Sequence, residues 1–194
     1  MTKYRKQKRS PLPWLIIAAA ALAVLTVGGL FAYRNIEEYT HPIKYEQYVE
    51  KYSRDNDLDK FLVYAVIKTE SGFDPQALSN VGARGLMQIM EDTFDWVSYR
   101  LGDEETKYLD MYDAETNIRY GCWLLGYLCK EFGDVETAMA AYHAGRGQVN
   151  EWLSDKSISS DGVHLDSIPI KDTAHYVGKI VKAMDTYQRL YGSK

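Results

Sequence analysis

Cysteine is scarce in this chain: Cys122 and Cys129 are the only two among 194 residues. Their spacing argues against a disulfide between them. Seven steps along one helix advance about 10.5 Å, whereas bridged Cα atoms stand roughly 4.4–6.8 Å apart. Seven steps of about 100° also return to the same helix face, in line with Leu125, so the pair reads as small residues of a core stripe. No further ligands accompany them at metal-binding spacing, and neither a metal nor an organic cofactor is expected. Internal repeats and low-complexity stretches are lacking too. With 46% apolar and 26% charged residues, the composition excludes long disordered segments. A chain of this length forms one domain plus a short appendage and buries a core without crosslinks.

Charge is missing from one stretch and lopsided elsewhere. Residues 1–11 hold Lys3, Arg5, Lys6, Lys8 and Arg9 and no acid, and the 22 residues from Leu12 to Tyr33 carry no charge at all. A helix of about 20 apolar residues matches a hydrocarbon layer roughly 30 Å thick, and a basic flank stays on the cytoplasmic side. The expected organisation is a cytoplasmic tail over 1–11, a single transmembrane signal-anchor helix over 12–33, a linker over 34–43 and one extracytoplasmic domain over 44–194. A cleaved signal peptide is the alternative, with Ala21-Leu22-Ala23 as its small-residue site, although the apolar run continues well beyond that point. Without the five basic residues of the tail, 18 basic residues face 27 acidic ones, a net charge of about −9. Such a surface excludes nucleic-acid binding and calls for recognition by a shaped groove.

Past Pro42 the periodicity is helical almost throughout. Tyr45, Tyr48, Val49 and Tyr52 mark a first amphipathic helix over Lys44–Arg54. Phe61 to Ile67 is too apolar for a surface helix, so Asp59–Ser71, stopped by Gly72 and Pro75, is read as the buried central helix. From Asp74 to Met90 the chain is rich in Gly, Ser, Asn and Pro, which predicts a loop with a small strand pair. Helical spacing resumes over Glu91–Leu101, Asp113–Phe132, Asp134–His143, Gln148–Leu153 and Thr173–Tyr191, with Asp113 and Asp134 as N-caps. The fold class is all-α, with one small irregular loop or β region.

Glu70 stands out. Val63, Val66, Ile67 and Glu70 fall at i, i+3, i+4 and i+7, so a carboxylate continues an apolar face. Partial burial and the negative helix end both disfavour its ionised form and predict a raised pKa. A glutamate held protonated near neutral pH suits protonation of a glycosidic oxygen. From spacing alone, a terminal glutamate turned towards water is an equal reading.

Four ordered segments carry the sequence further: Glu70-Ser71-Gly72-Phe73-Asp74-Pro75, Gly82 to Ile89, Ala141-Tyr142-His143-Ala144-Gly145, and Ile168 to Val177. Together they resemble the soluble lytic transglycosylase family of the lysozyme-like superfamily, over roughly residues 45–190. The resemblance implies a lysozyme-like helical domain that cuts the glycan strands of bacterial peptidoglycan, with its domain on the outer side of the cell membrane. It makes Glu70 the general acid and base, with Ser71 after it among the substrate-binding candidates. Ser79, Gln88 and Met90 match positions lining the glycan groove, and Tyr142 and Tyr176 match aromatics near the glutamate. Each has a plainer reading as well: Ser79 as a turn residue, Met90 as core, the two tyrosines as packing among 16 in the chain. Gln88 is harder to dismiss, because an amide inside the run Leu86 to Met90 needs a partner if buried.

The chain departs from the family pattern at His143, where asparagine is usual, and at Asp172, where glutamate is usual. Histidine still donates and accepts hydrogen bonds, and Asp172 keeps its charge at shorter reach, so both stay among the substrate-binding candidates. Ordinary glycosidases use two carboxylates, and here Asp74, Glu91, Asp92 and Asp95 read as caps or solvated charges. By resemblance, Glu70 protonates the bond oxygen between N-acetylmuramic acid and N-acetylglucosamine. It then deprotonates the muramic 6-hydroxyl, which closes a 1,6-anhydro ring. A goose-type lysozyme-like hydrolase and an inactive peptidoglycan-binding module are the rivals; no protein partner is legible.

Overall fold

The computed structural model describes residues 12–192, with side chains from residue 20 onward. The expected cytoplasmic tail, 1–11, lies outside the described residues. Two units are distinguished, 1–42 and 43–194.

The first unit is the single helix α1 (Leu12–Thr40). It runs on through most of the expected linker, where an Arg34–Glu38 ion pair and a Tyr33 hydroxyl bond to Glu37, each one turn apart, support the last turns. Among the described residues no helix is long and apolar enough to cross a membrane. The expected span of 12–33 falls partly on positions 12–19, whose side chains lie outside those described.

The second unit comprises α2 (Glu46–Asp55), α3 (Lys60–Ser71), α4 (Glu91–Leu101), a 3-10 turn (Tyr108–Tyr112), α5 (Ala114–Phe132), α6 (Val135–Ala144), α7 (Arg146–Ser154) and α8 (Lys171–Tyr191). Asp113 and Asp134, the N-caps read from sequence, act as such, and Asp59 caps α3 in the same way. The Asp59 carboxylate accepts from the Phe61 amide at 2.8 Å, Asp113 from Thr116 at 2.9 Å and Asp134 from Thr137 at 2.8 Å. Every residue from Leu62 to Ile67 is buried, because α3 packs against α2 on one side and α8 on another. The matching face of α8 is the i, i+4, i+7 series Tyr176, Ile180 and Ala183, continued by Tyr187, whose ring stacks on Tyr64 at 5.5 Å. Cys122 and Cys129 are free thiols on α5, the first fully buried, and burial raises the pKa of both.

The strand pair expected between Asp74 and Met90 does not form. Two isolated bridges, Leu78 with Arg84 and Arg84 with Ile89, are all that the segment makes. The backbone explains why: Gly82, Gly85 and Gln88 each take a positive φ, which ends any extended run after one residue.

Candidate active site

Glu70 closes the last full turn of α3, just before the left-handed cap at Gly72. Phe73 is left-handed as well, at φ 69°, so two such residues in succession turn the chain sharply off the helix. The buried Phe73 ring then packs against Tyr64. Placed there, Glu70 is half-buried, and its partner is the Tyr176 hydroxyl of α8, which donates to the carboxylate at 2.7 Å. Two effects oppose each other. Burial disfavours the charge and wins, raising the pKa to about 7, while the Tyr176 bond favours the carboxylate and lowers it. Neither of these two causes is the charge of another carboxylate.

Two further side chains surround this pair. The Tyr142 hydroxyl, on α6, donates to the Met87 carbonyl at 2.7 Å, and its pKa is raised by burial and then by the charge of Glu70. The ring of His143 lies against that of Tyr176, with centroids 4.5 Å apart, and its Nδ1 is 3.1 Å from the Thr173 hydroxyl. Partial burial lowers the His143 pKa against the opposing charge of Asp172, an exposed residue in the first turn of α8. A lowered pKa makes neutral imidazole the dominant form at neutral pH. Glu70, Tyr142, His143, Asp172 and Tyr176, which lie up to 106 residues apart in sequence, thus form one neighbourhood.

The remaining predicted residues build the loop that frames it. The Ser71 hydroxyl donates to the Leu86 carbonyl at 2.8 Å and accepts from the Phe73 amide at 3.2 Å, tying the end of α3 to the loop. Ser79 accepts from the amides of Val81 and Ala83, at 3.3 and 2.9 Å, which is the turn role weighed for it from sequence. Gln88, left-handed at φ 49°, donates through Nε2 to the carbonyls of Gly85 and Ala77 at 2.9 and 3.2 Å. Those bonds offset a backbone conformation that costs an L-residue about 1–2 kcal/mol. Its side-chain oxygen is in no protein hydrogen bond. Met90 is 39% exposed at the start of α4, so a core role does not apply.

Asn117 went unnoticed in the sequence although it controls this loop. Fully buried on α5, it accepts from the Met87 amide at 2.7 Å and donates to the carbonyls of Met111 and Arg84 at 2.8 and 3.0 Å. The signal was present, since Asn117, Gly121 and Leu125 share one face, and a lone amide on an apolar stripe needs partners. Gly85 completes the fit: a Cβ there would collide with the Met111 carbonyl and the Asn117 amide. Among the described residues no group of three His, Cys, Asp or Glu is placed to hold a metal ion. A cavity of about 310 Å³ opens beside the site, lined by Tyr142 together with Asp92, Thr93, Trp96 and Gly145.

A helical domain with a protonatable glutamate at the end of its central helix, held by a tyrosine, has the form of an acid–base catalyst. The Transglycosylase SLT domain model matches residues 47–163, and the chain belongs to that family. It is 35% identical over 161 residues to a soluble lytic murein transglycosylase of Salmonella typhimurium, covering 78% of this chain and 24% of that protein. It is 33% identical over 120 residues to a membrane-bound lytic murein transglycosylase F of Desulfosudis oleivorans, covering 58% and 24%. The crystal structure of the 70 kDa soluble lytic transglycosylase of Escherichia coli superposes with a TM-score of 0.72 at 27% identity, over 80% of this chain and 26% of that one. The chain therefore spans about a quarter of the length of these three relatives, and its fold is that of the matching part of the Escherichia coli structure.

A raised carboxyl pKa has a consequence for stability. The folded state holds the Glu70 proton up to about pH 7, whereas the unfolded chain releases it near 4.3. Between those values the native state binds more protons, so stability falls as pH rises through the window. Glu70→Gln is expected to be more stable than wild type at pH 8, by on the order of 2 kcal/mol, with little difference at pH 4. Urea denaturation at the two pH values measures this.

Proposed function

We propose that the protein is a peptidoglycan lytic transglycosylase that cuts the β-1,4 bond between N-acetylmuramic acid and N-acetylglucosamine and leaves a 1,6-anhydromuramic end. The observation that carries this reading is the half-buried carboxyl of Glu70, its pKa raised to about 7 by burial and its charged form supported by the bond from Tyr176. The relatives' names support the reaction class.

In the first half of the reaction, neutral Glu70 gives its proton to the glycosidic oxygen. The bond from that oxygen to C1 of the muramic sugar breaks, and N-acetylglucosamine leaves with the new hydroxyl. Glu70 is now a carboxylate facing a positively charged sugar. The Tyr176 hydroxyl, already donating at 2.7 Å, favours the charged form that this stage requires, without reorganisation. In the second half the 6-hydroxyl of the same sugar attacks C1 and Glu70 takes its proton, restoring the starting state. No water is consumed. The attacking group is part of the substrate, and its effective concentration exceeds what free water attains, so a second carboxylate has no task. Tyr142 fixes the loop at Met87. In this reading the side-chain oxygen of Gln88, the exposed Met90 and the pair His143–Asp172 serve as contacts for the strand, with His143 acting as a neutral hydrogen-bonding group. Ser71 and Ser79 act through the loop that they hold.

The proposal extends to the N-terminal segment. The described side chains of α1 from Leu22 to Phe31 include six large apolar groups, all well exposed, as a membrane-embedded helix would have. We place residues 12–33 in the cell membrane as an uncleaved anchor, with the tail inside and the catalytic domain outside. Alkaline carbonate extraction of cells expressing the full chain is expected to leave it in the membrane pellet, and release of the full-length chain into the supernatant would contradict the anchor.

Mass spectrometry of peptidoglycan digested by the protein is expected to yield anhydromuramic products, lighter by one water than hydrolysis products, and Glu70→Gln is expected to release none. Purely reducing ends would instead identify a hydrolase. Equal, negligible release by both proteins would point to a binding module.

A further inference from the structure

Three aromatic residues on α4 and α5 form a cluster that the chemistry at Glu70 does not use. Trp96 meets Trp123 edge-on at 5.4 Å and Tyr127 at 5.0 Å, while Trp123 and Tyr127 stack at 5.7 Å with planes 14° apart. The Arg100 guanidinium is 5.4–5.7 Å from all three rings. Unlike the tyrosines of the core, all three residues are only half-buried. Aromatic side chains dominate interface energetics through the large area that they bury, and beside Arg100 these half-buried rings keep part of that area for an occupant.

Their position indicates which. Trp96 lines the cavity of about 310 Å³ that it shares with Tyr142, the residue within electrostatic reach of Glu70. Trp123 and Tyr127 also line a second cavity of about 570 Å³, whose remaining wall includes Asp55, Asn56, Asp57 and Lys130. The aromatic cluster thus links the neighbourhood of Glu70 to a separate hollow rimmed by two carboxylates, an amide and an ammonium group. Its chemistry fits a sugar. The faces of a pyranose present weakly positive C–H groups, which lie favourably on the negative face of an indole or phenol. Its hydroxyl and acetamido groups are donors matched by the carboxylates and the amide of the rim.

We infer that Trp96, Trp123 and Tyr127 form a distal glycan subsite, over which the strand that reacts at Glu70 continues after passing Tyr142. The inference rests on the proposed function and adds to it a preference for long strands. A short oligosaccharide occupies the neighbourhood of Glu70 and never reaches Trp123, whereas a long one gains the stacking contacts.

The test is a binding titration, followed by calorimetry, of the full-length chain carrying Glu70→Gln, so that nothing is cut. The two probes are peptide-free peptidoglycan glycan strands of high chain length and the corresponding tetrasaccharide. Adding Trp123→Leu, which fills space but offers no aromatic face, is expected to weaken long-strand binding about tenfold, the loss of one stacking contact. Tetrasaccharide affinity should stay unchanged. Trp123→Phe in its place is expected to restore most of the long-strand affinity, separating stacking from packing. Unchanged long-strand affinity in Trp123→Leu would overturn the subsite while leaving the proposed function intact, as would an equal loss for both probes. Failure of the Glu70→Gln chain itself to bind either glycan would overturn the functional reading together with the subsite.

Discussion

A buried helix end that carries a carboxyl group is tolerable only if something holds the proton or supports the charge, and here one hydroxyl makes the difference. Tyr176 donates to Glu70 at 2.7 Å across the junction of α3 and α8. That junction is the main helix pairing of the domain, so the packing of Tyr64 on Tyr187 and the apolar face of α8 also fix where the phenol stands. Burial pushes the Glu70 pKa up and the tyrosine limits the rise, which leaves a group able to give and to regain a proton near neutral pH.

The loop from Asp74 to Met90 depends on the same economy of polar groups. It is irregular, so few of its amides and carbonyls find partners in a ladder, and side chains supply them. Asn117 serves three backbone groups from the core, Ser71 ties the loop to α3, and Gln88 and Ser79 close its turns. An amide buried as deeply as Asn117 is costly unless fully bonded. Once bonded, it specifies one loop conformation, and with it the position of Met87, whose carbonyl receives the Tyr142 hydroxyl.

Much of this was legible in the residue pattern. Helical spacing and Asp caps located seven helices of the domain, and the run from Phe61 to Ile67 identified the central one. Glu70 was visible as a carboxylate on an apolar face, and the resemblance to known transglycosylases singled out the tyrosines that surround it. Asn117 carried the same signal as Glu70 and was missed, because it lies outside the motif segments. Ser71, Ser79 and Gln88 were singled out by the resemblance as substrate-binding candidates, and their bonds to the loop backbone were a second feature that the motif did not show. A linear sequence does not reveal how many backbone groups in an irregular loop need a side-chain partner, nor that left-handed turns at Gly85 and Gln88 prevent a strand pair. The Trp96–Trp123–Tyr127 cluster was equally hidden, since its members join only when α4 packs on α5.

The central claim is that burial, moderated by Tyr176, holds Glu70 protonated near neutral pH. Carbon-detected NMR titration of the Glu70 side-chain carboxyl, assigned by its loss in Glu70→Gln, tests it without reference to any substrate. The account predicts a midpoint of about 7 in the wild type and a higher one in Tyr176→Phe, where the bond favouring the carboxylate is gone. A midpoint near the ordinary glutamate value, about 4.3, or a fall in Tyr176→Phe, would contradict it.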